Sequence, residues 1–160
     1  MANTSSAPMF VRLANVFTTT LLRAGFKLVG PGNCPLYLLT VPGRKSGQPR
    51  TTPIAVVEQN GQRYLLTPYG VVDWVRNLRA AGGAMLTRGR RAEELRAIEL
   101  PSNEAGLVLK RFIDTGNPIG RLFGSTAGFS QADFEGMTTS HPVFVLQSSA
   151  HASTRHRLFA

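Results

Sequence analysis

Three cations and no acid stand close together in VPGRKSGQPRTTP, residues 41–53. They are Arg44, Lys45 and Arg50, and the hydroxyl of Ser46 adds a further hydrogen-bond donor. Prolines and glycines in this segment exclude a helix, so the cations lie on an irregular loop. Such a loop can direct backbone N–H groups at one anion while the basic side chains add charge-assisted hydrogen bonds. The segment therefore predicts an anion-binding loop.

Side chains that could catalyse a reaction unaided are scarce elsewhere in the chain. The one cysteine, Cys34, excludes an internal disulfide and accompanies no triad motif. His141, His151 and His156 accompany no nucleophile motif, and no cluster of metal-ligand spacing occurs, so we predict no metal site. This shortage is typical of proteins in which a bound cofactor supplies the chemistry.

The charge of the chain is strongly positive. Its net value is +9, from 18 lysines and arginines against 9 acids, and the first acid is Glu58. A positive field of this kind attracts nucleic acid, anionic lipid or an acidic small molecule. The sequence has no zinc spacing, no aromatic RNA-binding signature and no basic helix-turn-helix pattern. We therefore expect a small-molecule partner and no nucleic acid.

Apolar runs on both sides of the loop predict the strands that hold it. PLYLLTV at residues 35–41 precedes the loop and TTPIAVVEQ at 51–59 follows, and both are rich in residues that favour strands. Asn60-Gly61 then predicts a tight hairpin into QRYLLTP at 62–68, because both residues tolerate positive φ. These three strands are expected to form an antiparallel meander.

Helices and further strands complete the predicted domain. Helices are expected over 71–83, over 102–116 with Ser102 or Asn103 as N-cap, and around 131–137. Additional strands are predicted at 84–88, 92–100 and 141–146. Five or six antiparallel strands with helices between them indicate a mainly β, α+β fold, a small barrel covered by helices. We predict one domain over residues 8–147, with disordered tails at 1–7 and 148–160.

The N-terminal segment from Pro8 to about Gly25 has the spacing of an amphipathic helix. Its stripe consists of Phe10, Leu13, Val16, Phe17, Thr20 and Leu21. We expect this stripe to pack on the domain; the alternative is that the helix rests on a membrane surface, as basic amphipathic helices do. No run of about 18 apolar residues and no signal-peptide pattern occurs, so a cytoplasmic location is expected, with membrane association as the alternative.

Several of these segments together resemble a known family. LLTVPGRKSGQPRTTPI, the Asn-Gly hairpin, DWVRNL and the closing HPVFVL are similar to the deazaflavin-dependent nitroreductases, also described as deazaflavin-dependent quinone reductases. The resemblance covers roughly residues 9–147. Members of that family are actinobacterial and archaeal split β-barrel proteins that use reduced coenzyme F420, an 8-hydroxy-5-deazaflavin. The resemblance therefore implies an FMN-binding-like split β-barrel.

The resemblance also implies a coenzyme site. The coenzyme carries a phosphodiester and an oligoglutamate tail; Arg44, Lys45 and Ser46 would meet the phosphate, and Arg50 would extend the positive track. The other cofactor-binding residues that it implies are Thr51, Thr52, Pro53, Ile54 and Ala55 on the next strand, Thr67, Pro68 and Tyr69 at a strand end, and Trp74 and Asn77 on one helix face. Trp74 could equally be a core residue. Better-known members carry a lysine in place of Tyr69, and some carry a tyrosine in place of Ala55, so their substrates are not transferred to this chain.

The activity implied by the resemblance is hydride transfer from reduced F420 to an electron-poor acceptor such as a quinone, enone or nitroaromatic compound. Water or Tyr69 would deliver the proton, and Phe129 and Phe134 could wall a substrate pocket or pack in the core. The alternatives are an FMN-binding oxidoreductase of the same fold, a non-catalytic coenzyme carrier, and a basic membrane-surface or nucleic-acid binder. The sequence leaves open whether the protein is a monomer or a dimer.

Overall fold

Seven strands and four α-helices make up the described chain, residues 9–149 of a computed structural model. The helices are α1 (Met9–Arg23), α2 (Asp73–Ala81), α3 (Ser102–Asp114) and α4 (Gln131–Met137). The strands are β1 (Leu36–Pro42), β2 (Pro49–Ala55), β3 (Val57–Gln59), β4 (Gln62–Leu65), β5 (Gly83–Arg88), β6 (Arg91–Glu99) and β7 (Phe144–Ser148). Two short 3₁₀ segments, Pro31–Asn33 and Pro118–Phe123, lie in the connections.

The strands form one antiparallel sheet in the order β2-β1-β5-β6-β7-β4-β3. The predicted meander is wrong, because the segment 51–59 breaks at Val56 and its two halves lie at opposite ends of the sheet. Val56 is buried, and its N–H donates to the carbonyl of Pro35 at 3.1 Å. Since a single residue joins the two end strands, the sheet curls on itself. The predicted split β-barrel is confirmed.

The turns and helix ends predicted from single residues agree with the structure in some cases and not in others. Asn60 and Gly61 have φ of 50° and 74°, as the predicted hairpin between β3 and β4 requires. Gly82 ends α2 in the left-handed conformation at φ 69°. The predicted N-cap of α3 is wrong: Pro101 occupies that position and Ser102 is already helical. Pro101 has the extended backbone of a cap residue, and its carbonyl accepts from the N–H of Ala105 at 2.9 Å.

Two apolar clusters form the core. One fills the barrel with inward residues such as Leu39, Leu65, Leu86 and Leu95, and α2 packs against it. The other lies between the outside of the sheet and α3 and α4, and includes Val57, Leu66, Leu109, Phe112, Phe134 and Val143. Leu95 and Ala97, two residues apart on β6, are both buried and share the inward face of that strand.

Helix α1 presents three residues of its predicted apolar stripe to solvent, so the predicted packing of the stripe is wrong at these positions. Leu13, Val16 and Phe17 are 67%, 67% and 68% exposed. The opposite face, which includes Asn15, Thr19 and the buried Leu22, lies towards the protein. The described helices include none long and apolar enough to cross a membrane.

The C-terminal boundary differs from the predicted one. Ser148, assigned to a tail by the sequence pattern, is the last residue of β7 and pairs with Leu95. The pairing with β6 extends β7 to Ser148, and amino-acid composition alone does not reveal that pairing. The predicted tail residues 1–7 and 150–160 lie outside the described chain.

Candidate functional site

The loop between β1 and β2 is a defined turn. The N–H of Gly43 donates to the carbonyl of Gln48, and the N–H of Gly47 donates to the carbonyl of Gly43, both at 2.8 Å. A Cβ at Gly43 would meet Ser46 Oγ at 3.1 Å and the Gln48 carbonyl at 3.2 Å, so a glycine suits this close approach. Ser46 Oγ accepts from the N–H of Gln48 at 3.3 Å. The loop is therefore shaped before any ligand binds.

Arg44 ties this loop to α2. Its Nη1 donates to Asn77 Oδ1 at 2.9 Å, and its backbone N–H donates to the same oxygen at 3.2 Å. Its Nη2 also contacts Asp73 Oδ1 at 3.2 Å. Asn77 is only 6% exposed, so Arg44 supplies the donors that a buried amide oxygen requires. The two sequence motifs, GRKSG and WVRNL, are thus bonded directly to each other.

The remaining cations of the loop are available to a ligand. Within the described chain, neither Lys45 nor Arg50 forms an ion pair, and both are exposed. Among the described residues, the backbone N–H groups of Lys45 and Ser46 likewise have no protein acceptor. Ammonium, guanidinium and unpaired amide donors together form the kind of group that binds a phosphate.

These groups face a cleft of about 610 Å³ between the loop, β2 and α2, which we call the cofactor cleft. The predicted residues that line it are Arg44, Lys45, Ser46, Arg50, Thr51, Thr52, Trp74 and Asn77. Gly43, Pro49 and Asp73 complete the lining and were missed by sequence reasoning. Asp73 was detectable, because it stands four residues before Asn77 on a helix and therefore shares its face.

Other predicted cofactor residues lie elsewhere. Pro53 lines an adjoining hollow, Ile54 is in the barrel core, and Ala55 packs against the second apolar cluster. Thr67 is 1% exposed and donates its hydroxyl proton to the Pro142 carbonyl at 2.9 Å. This bond joins the segment that follows β4 to the segment that precedes β7.

The other two residues of the predicted strand end differ from Thr67 in exposure. Pro68 is half-buried, and Tyr69 is 42% exposed. Neither is among the residues that line the cofactor cleft. The geometry therefore does not bring this strand end into the same cleft as Lys45.

Trp74 contacts both the cofactor cleft and the core, the two environments considered for it from the sequence. It lines the cofactor cleft, and it also packs against the barrel core, with its ring centroid 6.4 Å from that of Phe144. Its intermediate burial agrees with this double contact. One part of the ring is therefore held by the core while another part faces the cleft.

The two predicted substrate-pocket aromatics are outside the cleft. Phe134 on α4 is buried in the second apolar cluster, and Phe129 packs edge-on against it at 5.6 Å between ring centroids. Core packing accounts for Phe134 directly. No group of three or more His, Cys, Asp or Glu side chains that could hold a metal occurs within residues 9–149.

A hollow of about 400 Å³ between α1 and β2 continues from the cleft and shares Thr51 and Thr52 with it. Arg12 and Arg23 line this hollow. Sequence reasoning assigned neither arginine to the site. Their separation by eleven residues, close to three helical turns, was the available signal that they share a face.

The family can now be stated on a direct comparison. The family model described as "F420H(2)-dependent quinone reductase" matches residues 16–115. The chain belongs to this family. The matched range includes both motifs joined by the Arg44–Asn77 bond, and the resemblance predicted from those motifs is confirmed. No curated protein matches this sequence.

Solved structures resemble the chain at low sequence identity. An F420-H2 dependent reductase is 21% identical, with 76% of this chain and 98% of that chain covered, at a TM-score of 0.47. A protein of unknown function from Agrobacterium tumefaciens is 18% identical, with 92% of this chain and 59% of that chain covered, at a TM-score of 0.50. A NimC/NimA family protein from Clostridium acetobutylicum is 12% identical, with 84% of this chain and 80% of that chain covered, at a TM-score of 0.44. At such identities the likeness concerns the fold.

Proposed function

We propose that this protein is an oxidoreductase that binds coenzyme F420 in the cofactor cleft and reduces an electron-poor small molecule. The observation that carries the proposal is the convergence of the two family motifs on one cleft through the Arg44–Asn77 bond. Membership of the quinone reductase family supports the same reaction class. Quinones, enones and nitroaromatic compounds are the acceptors we propose.

The residues present fit this coenzyme. The cleft volume of about 610 Å³ lies in the range of small-molecule sites. Lys45, Arg50 and the unpaired amides suit a phosphodiester, and the hollow lined by Arg12 and Arg23 continues the positive surface for a polyanionic tail. The half-buried indole of Trp74 offers an apolar contact to a ring system.

Each part of the site then has a physical role in the proposal. Arg44 fixes the loop against α2, so that Lys45 and Ser46 are positioned before the coenzyme arrives. Thr51 is oriented by a hydroxyl–hydroxyl hydrogen bond of 3.0 Å to Thr40. When bound, reduced F420 supplies the hydride, while the protein contributes orientation and exclusion of water.

Proton delivery is assigned to water or to Tyr69. Tyr69 is exposed but does not line the cofactor cleft, so the proposal of F420 binding does not depend on it. A Tyr69→Phe variant with unchanged turnover of a quinone would assign the step to water alone. A lower turnover with unchanged coenzyme affinity would support the tyrosine.

A titration with two coenzymes tests the proposal. The purified protein is titrated with F420 and with FMN by fluorescence, and turnover of a quinone, an enone and a nitroaromatic compound is then followed with reduced F420. We expect F420 to bind more tightly, because a track of several cations suits a polyanionic tail better than one terminal phosphate. Equal or tighter binding of FMN would replace the proposal with an FMN enzyme. Tight F420 binding without reduction of any acceptor would indicate a carrier.

A further inference from the structure

A second basic pocket opens at the other end of β1 from the cofactor cleft. It has a volume of about 750 Å³ and shares no lining residue with the cleft. Tyr37 lies near the start of β1, whereas Gly43 of the cleft follows its end. Six residues of extended chain separate the two positions by about 20 Å. We call this second space the arginine pocket.

The arginine pocket is the open mouth of the barrel. On each of four strands, one residue of its lining stands two positions from a buried leucine and therefore faces the same way. The pairs are Tyr37 beside Leu39, Arg63 beside Leu65, Arg88 beside Leu86, and Glu93 beside Leu95. The floor of the pocket is thus the end of the apolar core, and its wall is a ring of polar side chains.

The wall carries a large excess of positive charge. The cations that line it are Lys27, Arg63, Arg88, Arg90 and Arg91, against the single carboxylate of Glu93. Both carboxylate oxygens of Glu93 are already used, because Arg63 donates to them at 3.0 and 2.9 Å. The hydrogen bonds from Arg63 and the charge of Arg91 lower the pKa of Glu93, so this carboxylate stays ionised and paired. Four cations are left facing the pocket.

Arg88 provides an independent sign of a missing partner. Its Nε is buried and has no hydrogen-bond acceptor among the described residues. Its guanidinium carbon lies 5.6 Å from the centroid of the Tyr37 ring, so the side chain is stacked in place beside an aromatic wall. The two Nη groups of Arg88 also have no acceptor among the described residues, and unlike Nε they are not buried, so they are the donors that an oxyanion in the pocket would meet.

We infer that the arginine pocket is a second binding site, for a small molecule that carries a phosphate group on an apolar or ring-shaped body. Guanidinium groups match phosphate oxygens in paired hydrogen bonds, and Arg88 would make the central contact. Tyr37 and Leu86 supply the apolar surface for the body of the ligand. The inference does not depend on the proposed function, because the two spaces have separate linings.

Calorimetric titration of the whole chain with phenyl phosphate and with inorganic pyrophosphate tests the inference. We expect phenyl phosphate to bind at a site that Arg88→Gln weakens at least about tenfold. Tyr37→Leu should weaken the binding of phenyl phosphate more than that of pyrophosphate, because only phenyl phosphate has a ring that can contact Tyr37. Arg90→Gln with Arg91→Gln, on an exposed turn, provides a second variant should Arg88→Gln fail to fold.

Matched controls locate the bound phosphate. Arg121→Gln removes an exposed arginine outside both spaces, and Lys45→Ala removes a cation of the cofactor cleft; neither should change the phenyl phosphate binding that depends on Arg88. Binding should also persist at saturating F420. Three outcomes would each overturn the inference: loss of the Arg88-dependent binding in Lys45→Ala, equal weakening by Arg121→Gln and Arg88→Gln, or no binding of either probe at millimolar concentration together with no Arg88-dependent binding to anionic vesicles.

One further arm separates the sources of the phosphate. Vesicles of phosphatidylglycerol are compared with vesicles of phosphatidylcholine in a sedimentation assay. Arg88-dependent binding to the anionic vesicles, without binding of phenyl phosphate, assigns the phosphate to a lipid headgroup. Arg88-dependent binding of phenyl phosphate alone assigns it to a soluble compound.

Discussion

The two basic spaces of this barrel use their arginines in the same way but are built from different elements. In the cofactor cleft, Arg44 is occupied by Asn77 and Asp73, and Lys45 is left for a ligand. In the arginine pocket, Arg63 donates its hydrogen bonds to Glu93, and Arg88 remains available for a ligand. The cleft joins a loop to a helix, whereas the pocket is framed largely by strands. The comparison predicts that the pairing of each cation, and not its charge alone, decides whether it positions the site or binds a ligand.

The largest expected effect comes from removing the cation that positions the cleft. Arg44→Ala leaves the buried oxygen of Asn77 without its side-chain donor, which should lower the free energy of unfolding by about 1–3 kcal/mol. Coenzyme affinity should fall as well, because the loop loses its attachment to α2. Thermal melting and F420 titration measure the two effects.

Asp73→Asn is the matched control for this variant. It removes exposed ion pairs with Arg44 and Arg76 and should cost less than about 1 kcal/mol of stability. Should Arg44→Ala weaken F420 binding with no change in melting temperature, Arg44 is a coenzyme ligand and the comparison between the two spaces fails.

Lys45→Ala should affect binding alone. The loss of one charge-assisted hydrogen bond should weaken F420 binding by about 1.5–3 kcal/mol, which corresponds to roughly 10- to 150-fold in Kd. Melting temperature should stay unchanged, because Lys45 is exposed and has no partner in the described chain. The affinity of the variant should also fall less steeply with salt than that of the wild type.

Arg90→Ala, in the arginine pocket, is the control for Lys45→Ala. It should leave F420 binding unchanged, because the two residues line separate spaces. Equal weakening of F420 binding by both variants would mean that the coenzyme is attracted by overall charge and that the loop is no specific site.

Trp74 tests whether the coenzyme ring lies in the cleft. It is the single tryptophan of the chain, so no other tryptophan contributes to the emission. We expect quenching on F420 binding, and an affinity loss of about 0.5–1.5 kcal/mol in Trp74→Phe, which keeps a ring in the core. Unchanged emission at saturating coenzyme would place the ring elsewhere and leave Trp74 as a core residue only.

Local sequence signals predicted the elements that hold the cleft. The loop follows from its prolines and glycines, and the Asn60-Gly61 hairpin follows from the backbone freedom of two adjacent residues. Eight of the residues implied by the family resemblance line one cleft, because one loop, the strand β2 that directly follows it and one short helix carry them. The proposal that they bind the coenzyme remains a prediction.

Features that depend on distant strands could not be predicted in the same way. The break at Val56 places β2 and β3 at opposite ends of the sheet, and nothing in a continuous apolar run reveals which strands will pair. The arginine pocket escaped prediction because Arg63 and Glu93 are thirty residues apart and meet only in the final register. The exposed stripe of α1 shows that helical spacing predicts a face but not its partner.

Glu93→Gln gives the smallest expected effect. Unlike the substitutions in the cleft, it should strengthen ligand binding, because it removes the partner of a cation and not the cation itself. The paired Arg63 lowers the pKa of Glu93, so the pair stabilises the fold above the ordinary glutamate pKa of about 4.3 and loses this effect as pH falls through the lowered value. At pH 7 the variant should therefore be less stable by up to about 1 kcal/mol, a modest figure because the pair is partly solvated. Urea unfolding at neutral pH and below about pH 4 should show the difference in stability fading, since protonated Glu93 resembles glutamine.

Because Arg63 is released in Glu93→Gln, the same variant should bind phenyl phosphate more tightly. A stability difference that persists in acid, together with unchanged phosphate binding, would show that Glu93 matters for packing and that Arg63 is not held back by its pair.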